Sequence, residues 1–230
     1  MLGLPDGITA CLFDLDGVLT QTATVHARAW KQMFDEYLRE RPEPFRAFTQ
    51  DDYDRHVDGL PREDGVRGFL RSRGIEASDA EVHALGQRKN DLVQALIAQD
   101  GVEVYDGSVA YVRAARDAGL HCAVVSSSAN TRQVLEAAAI LDLFEAIVDG
   151  HDVRDHGLKG KPAPDTFLEG ARRLGARPAQ AAVYEDALAG VEAGRAGHFG
   201  LVIGVDRVGQ RTALQEHGAD VVVDDLSELA

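Results

Sequence analysis

The sequence has few cysteines and no long apolar run, and each scarcity excludes a class of protein. Its 230 residues include two cysteines, Cys11 and Cys122, and both lie in predicted strands. A disulfide scaffold or a cysteine metal site is therefore not expected, and we predict two reduced core thiols in a cytoplasmic protein. Because the longest apolar runs are only as long as a strand, the sequence predicts neither a signal peptide nor a membrane span.

Positive charge is also scarce, because acidic residues give the chain a formal net charge of −14 and a pI near 4.9. This balance argues against nucleic acid or an anionic membrane as the main partner. An anionic substrate stays possible, because local cations and a metal ion can outweigh a distant negative field. The sequence also lacks the glycine-rich fingerprints of dinucleotide and P-loop sites, so neither kind of site is expected.

One short stretch near the start, residues 8–18, carries the first chemical signal. An apolar run ends in Asp14 and Asp16, and Gly17 follows them directly. In an extended segment residues i and i+2 point the same way, so the two carboxylates can face one site, and the glycine permits a sharp turn. Such a pair suits a hard cation with a reaction beside it. Alone, the stretch is equally compatible with two solvated acids at a strand end.

The remaining pattern divides into a helical part and an alternating part. Residues 20–97 show helical apolar spacing, as in Val25 to Leu38 and Ser78 to Asp100, and no clear strand. From residue 103 short strands alternate with helices, which predicts a parallel sheet. We therefore predict an α/β fold with a Rossmann-like parallel sheet, helices on both faces, and a small all-helical cap domain inserted after the first strand. The predicted core domain comprises residues 1–19 and 98–230, and the cap residues 20–97.

Polar residues follow several predicted strands of this sheet. Asp14 and Asp16 follow the first strand, Ser126 follows a second, and Glu185 and Asp186 end a third. Right-handed crossovers place the carboxyl ends of parallel strands on one edge, where ligands of open sheets bind. We expect these five residues to converge there.

This set of motifs resembles the haloacid dehalogenase superfamily and, within it, the β-phosphoglucomutase-like subfamily. The resemblance spans nearly the whole chain and includes the helical insertion, which falls where the family places its cap. Subfamily matches lie in the predicted cap at His26 and Trp30, at Arg62 and its two neighbours, and at residues 88–91. The four superfamily motifs are matched by Phe13-Asp14-Leu15-Asp16-Gly17-Val18-Leu19-Thr20, Val124-Val125-Ser126-Ser127-Ser128, Gly160-Lys161-Pro162-Ala163-Pro164-Asp165 and Tyr184-Glu185-Asp186.

The resemblance implies phosphoryl transfer with Asp14 as nucleophile and Asp16 as general acid and base. It also implies a Mg²⁺ ion held by Asp14, the backbone carbonyl of Asp16 and Asp186. Glu185 would be either a direct ligand or a residue that orients the ligands. Hydrolytic and mutase members share a second acid at the position of Asp16, which the dehalogenases lack.

Two further residues have implied roles with simpler alternatives. Lys161 would pair with the phosphate and Asp14, and Ser126 would donate to a phosphate oxygen. Ser126 could instead only cap the next helix, and Lys161 could be a solvated loop charge. The chain has four lysines against twenty arginines, so a lysine at this motif position favours the functional interpretation.

The resemblance extends to a substrate site beneath the cap. His26 and Lys89 match a pair that couples cap closure to proton transfer, with two surface residues as the alternative. Arg62, together with Ser128 and Asn130, would hold a second, non-reacting phosphate, because a guanidinium fork suits that group. Trp30 is a further candidate for substrate contact, although packing in the cap core is the favoured interpretation.

Three positions depart from the subfamily pattern: Gln21 replaces an aspartate, and Asp58 and Ala129 each replace a lysine. Two of these changes remove positive charge where the second phosphate is expected. The leading hypothesis is a Mg²⁺-dependent mutase that interconverts the 1- and 6-phosphates of a sugar. The alternatives are a phosphatase for a small sugar phosphate or phosphorylated acid, and a non-catalytic sugar-phosphate sensor. The expected partner is a small phosphorylated sugar, without nucleic acid or membrane, and the expected state is a monomer.

Overall fold

The protein is described by a computed structural model that covers residues 2–42 and 44–230. At its centre lies one six-stranded sheet in which every neighbouring pair is parallel, with the order β3-β2-β1-β4-β5-β6. The predicted parallel α/β sheet is confirmed. The strands are β1 Ala10–Phe13, β2 His121–Val125, β3 Ala146–Val148, β4 Ala181–Glu185, β5 Leu201–Val205 and β6 Val221–Val223.

The central strand β1 is buried on both faces, as expected for a sheet covered by helices on each side. Cys11 and Phe13 face one hydrophobic core, while Ala10 and Leu12 face the other. Helices α5 and α6 cover the first face, and α8, α9 and α10 cover the second. These helices span Asp106–Asp117 (α5), Thr131–Ala137 (α6), Asp165–Arg173 (α8), Leu188–Ala196 (α9) and Arg211–His217 (α10).

Between β1 and α5 the chain forms four consecutive helices, which we call the helical segment. They are α1 Thr22–Arg39, α2 Gln50–His56, α3 Arg62–Ser72 and α4 Asp79–Asp100. This segment has an apolar core of its own, built around Trp30, Phe34 and Phe69. The predicted helices are confirmed, including the N-cap at Ser78, whose hydroxyl accepts from the backbone N–H of Glu81. The domain boundary at residues 97 and 98 stays a prediction, and α4 continues past it.

Among the α-helices of the described residues, α7 (Gly150–His156) was not predicted from the sequence. This helix is short and almost entirely polar, so it shows no apolar periodicity. The Asp149 carboxylate caps it by accepting the backbone N–H groups of His151 and Asp152. Gly157 ends it in the left-handed conformation, with φ of 64°. Local capping therefore defines α7, and its position matters for the site described below.

The two cysteines are both buried and free, as predicted. They lie side by side in register on β1 and β2. Of the helices in the described ranges, none has both the length and the apolar character that a bilayer crossing requires.

Candidate active site at the carboxyl edge of the sheet

The acidic residues of the first and fourth motifs meet at the carboxyl ends of two adjacent strands. Phe13 and Tyr184 are register partners, so Asp14 and Glu185 follow them side by side. The backbone N–H of Asp14 donates to the Tyr184 carbonyl at 2.9 Å, which extends the pairing by one residue. Carboxylate oxygens of Asp14, Glu185 and Asp186 all lie within 4.8 Å of one another. The topology thus brings Asp14 together with two adjacent acids that lie about 170 residues further along the chain.

Lys161 is the cation inside this group of acids. Its ammonium ion donates to the Asp14 carboxylate, to Glu185 Oε1 at 2.6 Å and to the Val125 carbonyl at 3.1 Å. The side chain is only 1% exposed, so these three bonds use its full donor capacity away from water. Burial opposes its charge, but Asp14 and Glu185 outweigh burial and raise the pKa of Lys161 above its usual range. Lys161 is therefore a buried, charged bridge and not a solvated loop residue.

The acid cluster still carries more negative charge than Lys161 can balance. Burial raises the pKa of Asp14 well above its usual range, although Lys161 opposes the shift. Burial also raises the pKa of Asp186, and the nearby carboxylates of Asp58 and Glu185 add to the effect. Three hard oxygen donors in a small buried space with excess negative charge are the donor set that Mg²⁺ prefers. The residues present therefore fit a divalent cation, with Asp14, Glu185 and Asp186 as the side chains that could hold it.

Asp16 lies outside that three-residue cluster. Its carboxylate accepts from the Thr22 hydroxyl, and it is 20% exposed, facing the cavity. Directly after it, Gly17 adopts a φ of 86°. A Cβ at Gly17 would lie 1.8 Å from Asp186 Oδ2, so only glycine permits the backbone to pass this close to the acid. The turn that carries Asp16 is therefore packed directly against Asp186.

Ser126 follows β2 at the same edge and is 1% exposed. Its hydroxyl oxygen accepts the backbone N–H of Ser128 at 3.0 Å, which shapes the turn before α6. It does not cap α6, because the N-cap position is Asn130, which makes no side-chain capping bond. The capping alternative is thus wrong in detail, while the phosphate contact of Ser126 stays a prediction.

On the opposite side of the cavity, His26 and Lys89 are in direct contact. Lys89 Nζ lies 2.9 Å from His26 Nδ1 and 4.9 Å from the centre of the Trp30 ring. Burial lowers the pKa of Lys89 to about 7 and that of His26 to about 4. His26 Nε2 points toward Asp16 at 3.7 Å, beyond hydrogen-bond range, and has no partner within the described residues. This pair is buried, and so the alternative of two solvated surface residues is wrong.

The predicted substrate residues line one cavity of about 410 Å³ between the sheet edge and the helical segment. Arg62 begins α3, while Ser128 and Asn130 belong to the turn after β2. Ser127 Oγ donates to the Gly59 carbonyl at 2.8 Å and so ties that turn to the segment before α3. Trp30 is 3% exposed and stacks on a phenylalanine in the core of the helical segment, yet its ring also reaches the cavity wall.

Several cavity residues were not predicted as site residues, and three of them carry polar groups that bear on the chemistry. Tyr53 and Asp58 line the wall contributed by α2 and the residues after it. Burial raises the pKa of Asp58 to about 7, while its hydrogen bond with Tyr53 opposes the shift. Arg154 on α7 also lines the cavity, and its charge contributes to lowering the pKa of Arg62. The sequence already showed Asp58 as a departure from the subfamily pattern. Arg154 gave no such signal, because it lies on α7, a polar helix without apolar periodicity.

A sequence model of the haloacid dehalogenase-like hydrolases matches residues 8–198 of the chain. A β-phosphoglucomutase of Mycobacterium tuberculosis is 52% identical, over 100% of this chain and 94% of that protein. One from Bacillus subtilis is 35% identical, over 96% and 91%. A crystal structure of β-phosphoglucomutase from Clostridium difficile superposes with a TM-score of 0.82 at 25% identity, covering 97% of this chain and 93% of the other.

These comparisons define the class of the protein. The chain belongs to the haloacid dehalogenase-like hydrolase family. It is an enzyme of the phosphomutase and phosphatase kind, which sets aside the hypothesis of a non-catalytic sensor.

Proposed function

We propose that this enzyme is a Mg²⁺-dependent phosphomutase that interconverts β-glucose 1-phosphate, or a similar sugar 1-phosphate, with the corresponding 6-phosphate through an aspartyl phosphate on Asp14. The observation that carries the proposal is the buried bridge in which Lys161 joins Asp14 to Glu185. A lysine there orients the Asp14 carboxylate and offers positive charge to the incoming phosphate. The relatives named β-phosphoglucomutase support the choice of substrate.

The reaction has two halves that use the same residues. An Asp14 oxygen attacks phosphorus, the bond from phosphorus to the sugar oxygen breaks, and that oxygen takes a proton from Asp16. In the second half a different hydroxyl of the sugar gives its proton to Asp16 and attacks the aspartyl phosphate, which frees Asp14. The Thr22 hydroxyl donates to the Asp16 carboxylate and so keeps its orientation the same in both halves of the reaction. Ser126 donates to an oxygen of the transferring group.

Mg²⁺ would be held by Asp14, the backbone carbonyl of Asp16 and Asp186, with Glu185 as a ligand or as a residue that orients the others. When bound, the ion offsets the repulsion between the anionic phosphate and the anionic nucleophile. The three clustered carboxylates support this assignment. The proximity of Glu185 to Lys161 favours an orienting role for Glu185, because one of its oxygens already accepts from the ammonium ion.

A mutase must also hold the phosphate that does not react. Arg62, Ser128 and Asn130 serve this purpose in the proposal, and Arg154 adds a second guanidinium on the same cavity. Together the two arginines restore the positive charge that the subfamily pattern would place at Asp58 and Ala129. His26 and Lys89 close against Asp16 when substrate is bound, because His26 Nε2 already faces that carboxylate. Trp30 forms the wall behind them.

The direct test supplies β-glucose 1-phosphate, Mg²⁺ and a catalytic amount of β-glucose 1,6-bisphosphate, and follows products by ³¹P NMR. We expect glucose 6-phosphate to accumulate, and α-glucose 1-phosphate to remain unchanged in a parallel sample. Release of inorganic phosphate as the sole product would contradict the mutase proposal.

A phosphatase is the second candidate, favoured by one observation in the cavity. Asp58 places an additional carboxyl group where positive charge would help to hold a second phosphate. In this version water replaces the second hydroxyl in the attack on the aspartyl phosphate. A panel of small sugar phosphates and phosphorylated acids distinguishes the candidates, because a phosphatase releases inorganic phosphate from several of them without any bisphosphate.

For either candidate the proposal includes a monomer that acts in the cytoplasm.

A further inference from the structure

The loop between β5 and α10, residues 206–210, contacts the candidate active site but contains none of the residues assigned above. Arg211, which follows the loop, is the first residue of α10. The conformation of the loop is fixed by one carboxylate. Asp206 accepts backbone N–H groups over the whole loop, at distances of 2.7 to 3.3 Å, and so acts as an internal brace. The four donors are Val208, Gly209, Gln210 and Arg211.

Two side chains of this loop donate to backbone carbonyls in the two turns that carry Asp16 and Asp186, which we call the acidic turns. Arg207 Nε donates to the Gly17 carbonyl at 2.8 Å, and Gln210 Nε2 donates to the Asp186 carbonyl at 2.9 Å. Gly17 follows Asp16 directly, so the two bonds attach the turn just after Asp16 and the backbone carbonyl of Asp186 to one loop. These two acidic turns come from different strands, and the β5–α10 loop links them from outside.

Arg207 is itself held in place before it reaches Gly17. Its guanidinium lies 3.6 Å from the centre of the Tyr105 ring, and Nη1 donates to the Asp224 carbonyl at 2.8 Å. The Asp225 carboxylate lies 3.5 Å from the same nitrogen, and the side chain is 15% exposed. A planar guanidinium can stack on a ring and donate along two edges at once, which an ammonium ion cannot do. This position therefore specifically requires arginine.

The turn held by Arg207 has little freedom on its other side. Gly17 packs so closely against Asp186 that a Cβ would overlap its carboxylate. A small movement of the Gly17 peptide would therefore change the spacing between Asp16 and Asp186. Arg207 restrains that peptide directly, and Gln210 restrains the partner acid from the same loop.

We propose that Arg207 and Gln210 are positioning residues that set the spacing of Asp16 and Asp186, and thereby the affinity of the site for Mg²⁺. This inference rests on the proposed function, in which the backbone carbonyl of Asp16 and the carboxylate of Asp186 bind the metal ion. Residues that orient metal ligands typically change metal affinity by about 10–100-fold when they are removed. A residue that only stabilised the loop would change thermal stability without changing metal affinity.

The test compares Arg207→Met with Arg211→Met, since Arg211 directly follows the loop and its guanidinium donates to the Val222 carbonyl and the Asp224 carboxylate, away from the site. Mg²⁺ binding to each full-length variant is measured by calorimetry without substrate, beside kcat, KM and the melting temperature. We expect Mg²⁺ to bind Arg207→Met about 10–100-fold more weakly than wild type and kcat to fall, with KM little changed. Arg211→Met should keep the wild-type metal affinity, and Gln210→Leu should weaken it several-fold.

The outcomes separate this inference from the proposed function. If wild type binds Mg²⁺ and turns over substrate, but folded Arg207→Met matches its metal affinity within about twofold, the positioning role is wrong and the proposed function stands. If wild type binds no Mg²⁺, both fail. Should Arg207→Met not fold, Arg207→Lys and Gln210→Leu decide the question, because each keeps a side chain of similar size. Wild-type metal affinity in both would overturn the inference.

Discussion

The two sides of the cavity differ in how completely their polar groups are paired. On the sheet side, the Lys161 ammonium ion fills its donor capacity with Asp14, Glu185 and a carbonyl. On the helical side, His26 Nε2 has no partner within the described chain, and Lys89 loses affinity for its proton through burial. On the sheet side every donor of the central lysine is used, whereas the helical side keeps a polar atom directed at Asp16 across 3.7 Å.

This difference in pairing matches a difference in role, with the reaction on the sheet side and substrate binding on the helical side. A preorganised network around the nucleophile does not have to rearrange when charge develops during the reaction. The helical side can form its remaining contacts only when a substrate fills the cavity or the helices move closer. Closure of such a side also excludes water, which competes for an aspartyl phosphate. The following predictions test whether the two sides are as distinct as their pairing suggests.

The largest effect is expected on the sheet side from Asp14→Asn. Removing the nucleophilic oxygen should reduce kcat on the order of 10⁴-fold or more, because the covalent intermediate can no longer form. The melting temperature should fall little or rise, since burial disfavours the charge of this carboxyl group. Asp142→Asn, an exposed matched change, should leave both quantities unchanged. Turnover by Asp14→Asn near the wild-type rate would remove the central residue of the mechanism.

Lys161→Met should damage both stability and turnover. It leaves Asp14 and Glu185 buried without their cation, which costs about 3–5 kcal/mol for a broken buried ion pair. The loss of positive charge at the reacting group should lower kcat by about 10²–10³-fold. Urea unfolding gives the first quantity and steady-state kinetics the second. The exposed neighbour Lys159 supplies the control, because Lys159→Met should change neither the free energy of unfolding nor kcat. Equal effects in the two variants would mean that the bridge has no special role.

On the helical side, Arg62→Gln should affect binding more than the chemical step. We expect KM for the sugar phosphate to rise about 10–100-fold with a smaller change in kcat, because a charge-assisted contact to phosphate is lost. Arg154→Gln should have the same direction and a smaller size, since its side chain is 59% exposed. The exposed Arg71 on the same helix α3 supplies the control Arg71→Gln.

A substrate without a second phosphate sharpens this test. Hydrolysis of p-nitrophenyl phosphate uses only the reacting phosphate, so Arg62→Gln and Arg154→Gln should leave its rate nearly unchanged. A parallel loss with both substrates would show that these arginines support the acid cluster rather than the distal phosphate.

The sequence predicted the sheet side better than the helical side, and the reason is physical. Asp14, Glu185 and Asp186 each end a strand with a strong apolar pattern, so parallel topology alone brings them together. The presence of Asp58 where the subfamily pattern has a lysine was visible in the sequence, but its burial depends on how the residues after α2 pack against the sheet edge. Arg154 lies on a polar helix defined by a local cap, and Arg207 acts through a backbone carbonyl, which leaves no signature in residue type.

The remaining prediction concerns Lys89 and the pH dependence of stability. Burial lowers the pKa of Lys89 from 10.5 to about 7, so between those values the unfolded chain binds a proton that the folded chain does not. Stability must therefore rise with pH across this window through the contribution of Lys89. Lys89→Met removes that contribution. The variant should be more stable than wild type at pH 7, by at most about 5 kcal/mol, and the advantage should shrink toward pH 10.

Thermal unfolding of both proteins from pH 6 to 10 measures the difference, with Lys159→Met as an exposed control whose effect should not vary with pH. A constant gap between wild type and Lys89→Met would mean that Lys89 keeps an ordinary pKa in the folded protein. The helical side would then be a charged site like the sheet side, and the contrast between them would lie only in hydrogen bonding. A gap that closes with rising pH would instead mean that the helical side holds Lys89 partly neutral near pH 7, ready to gain charge when an anionic substrate enters.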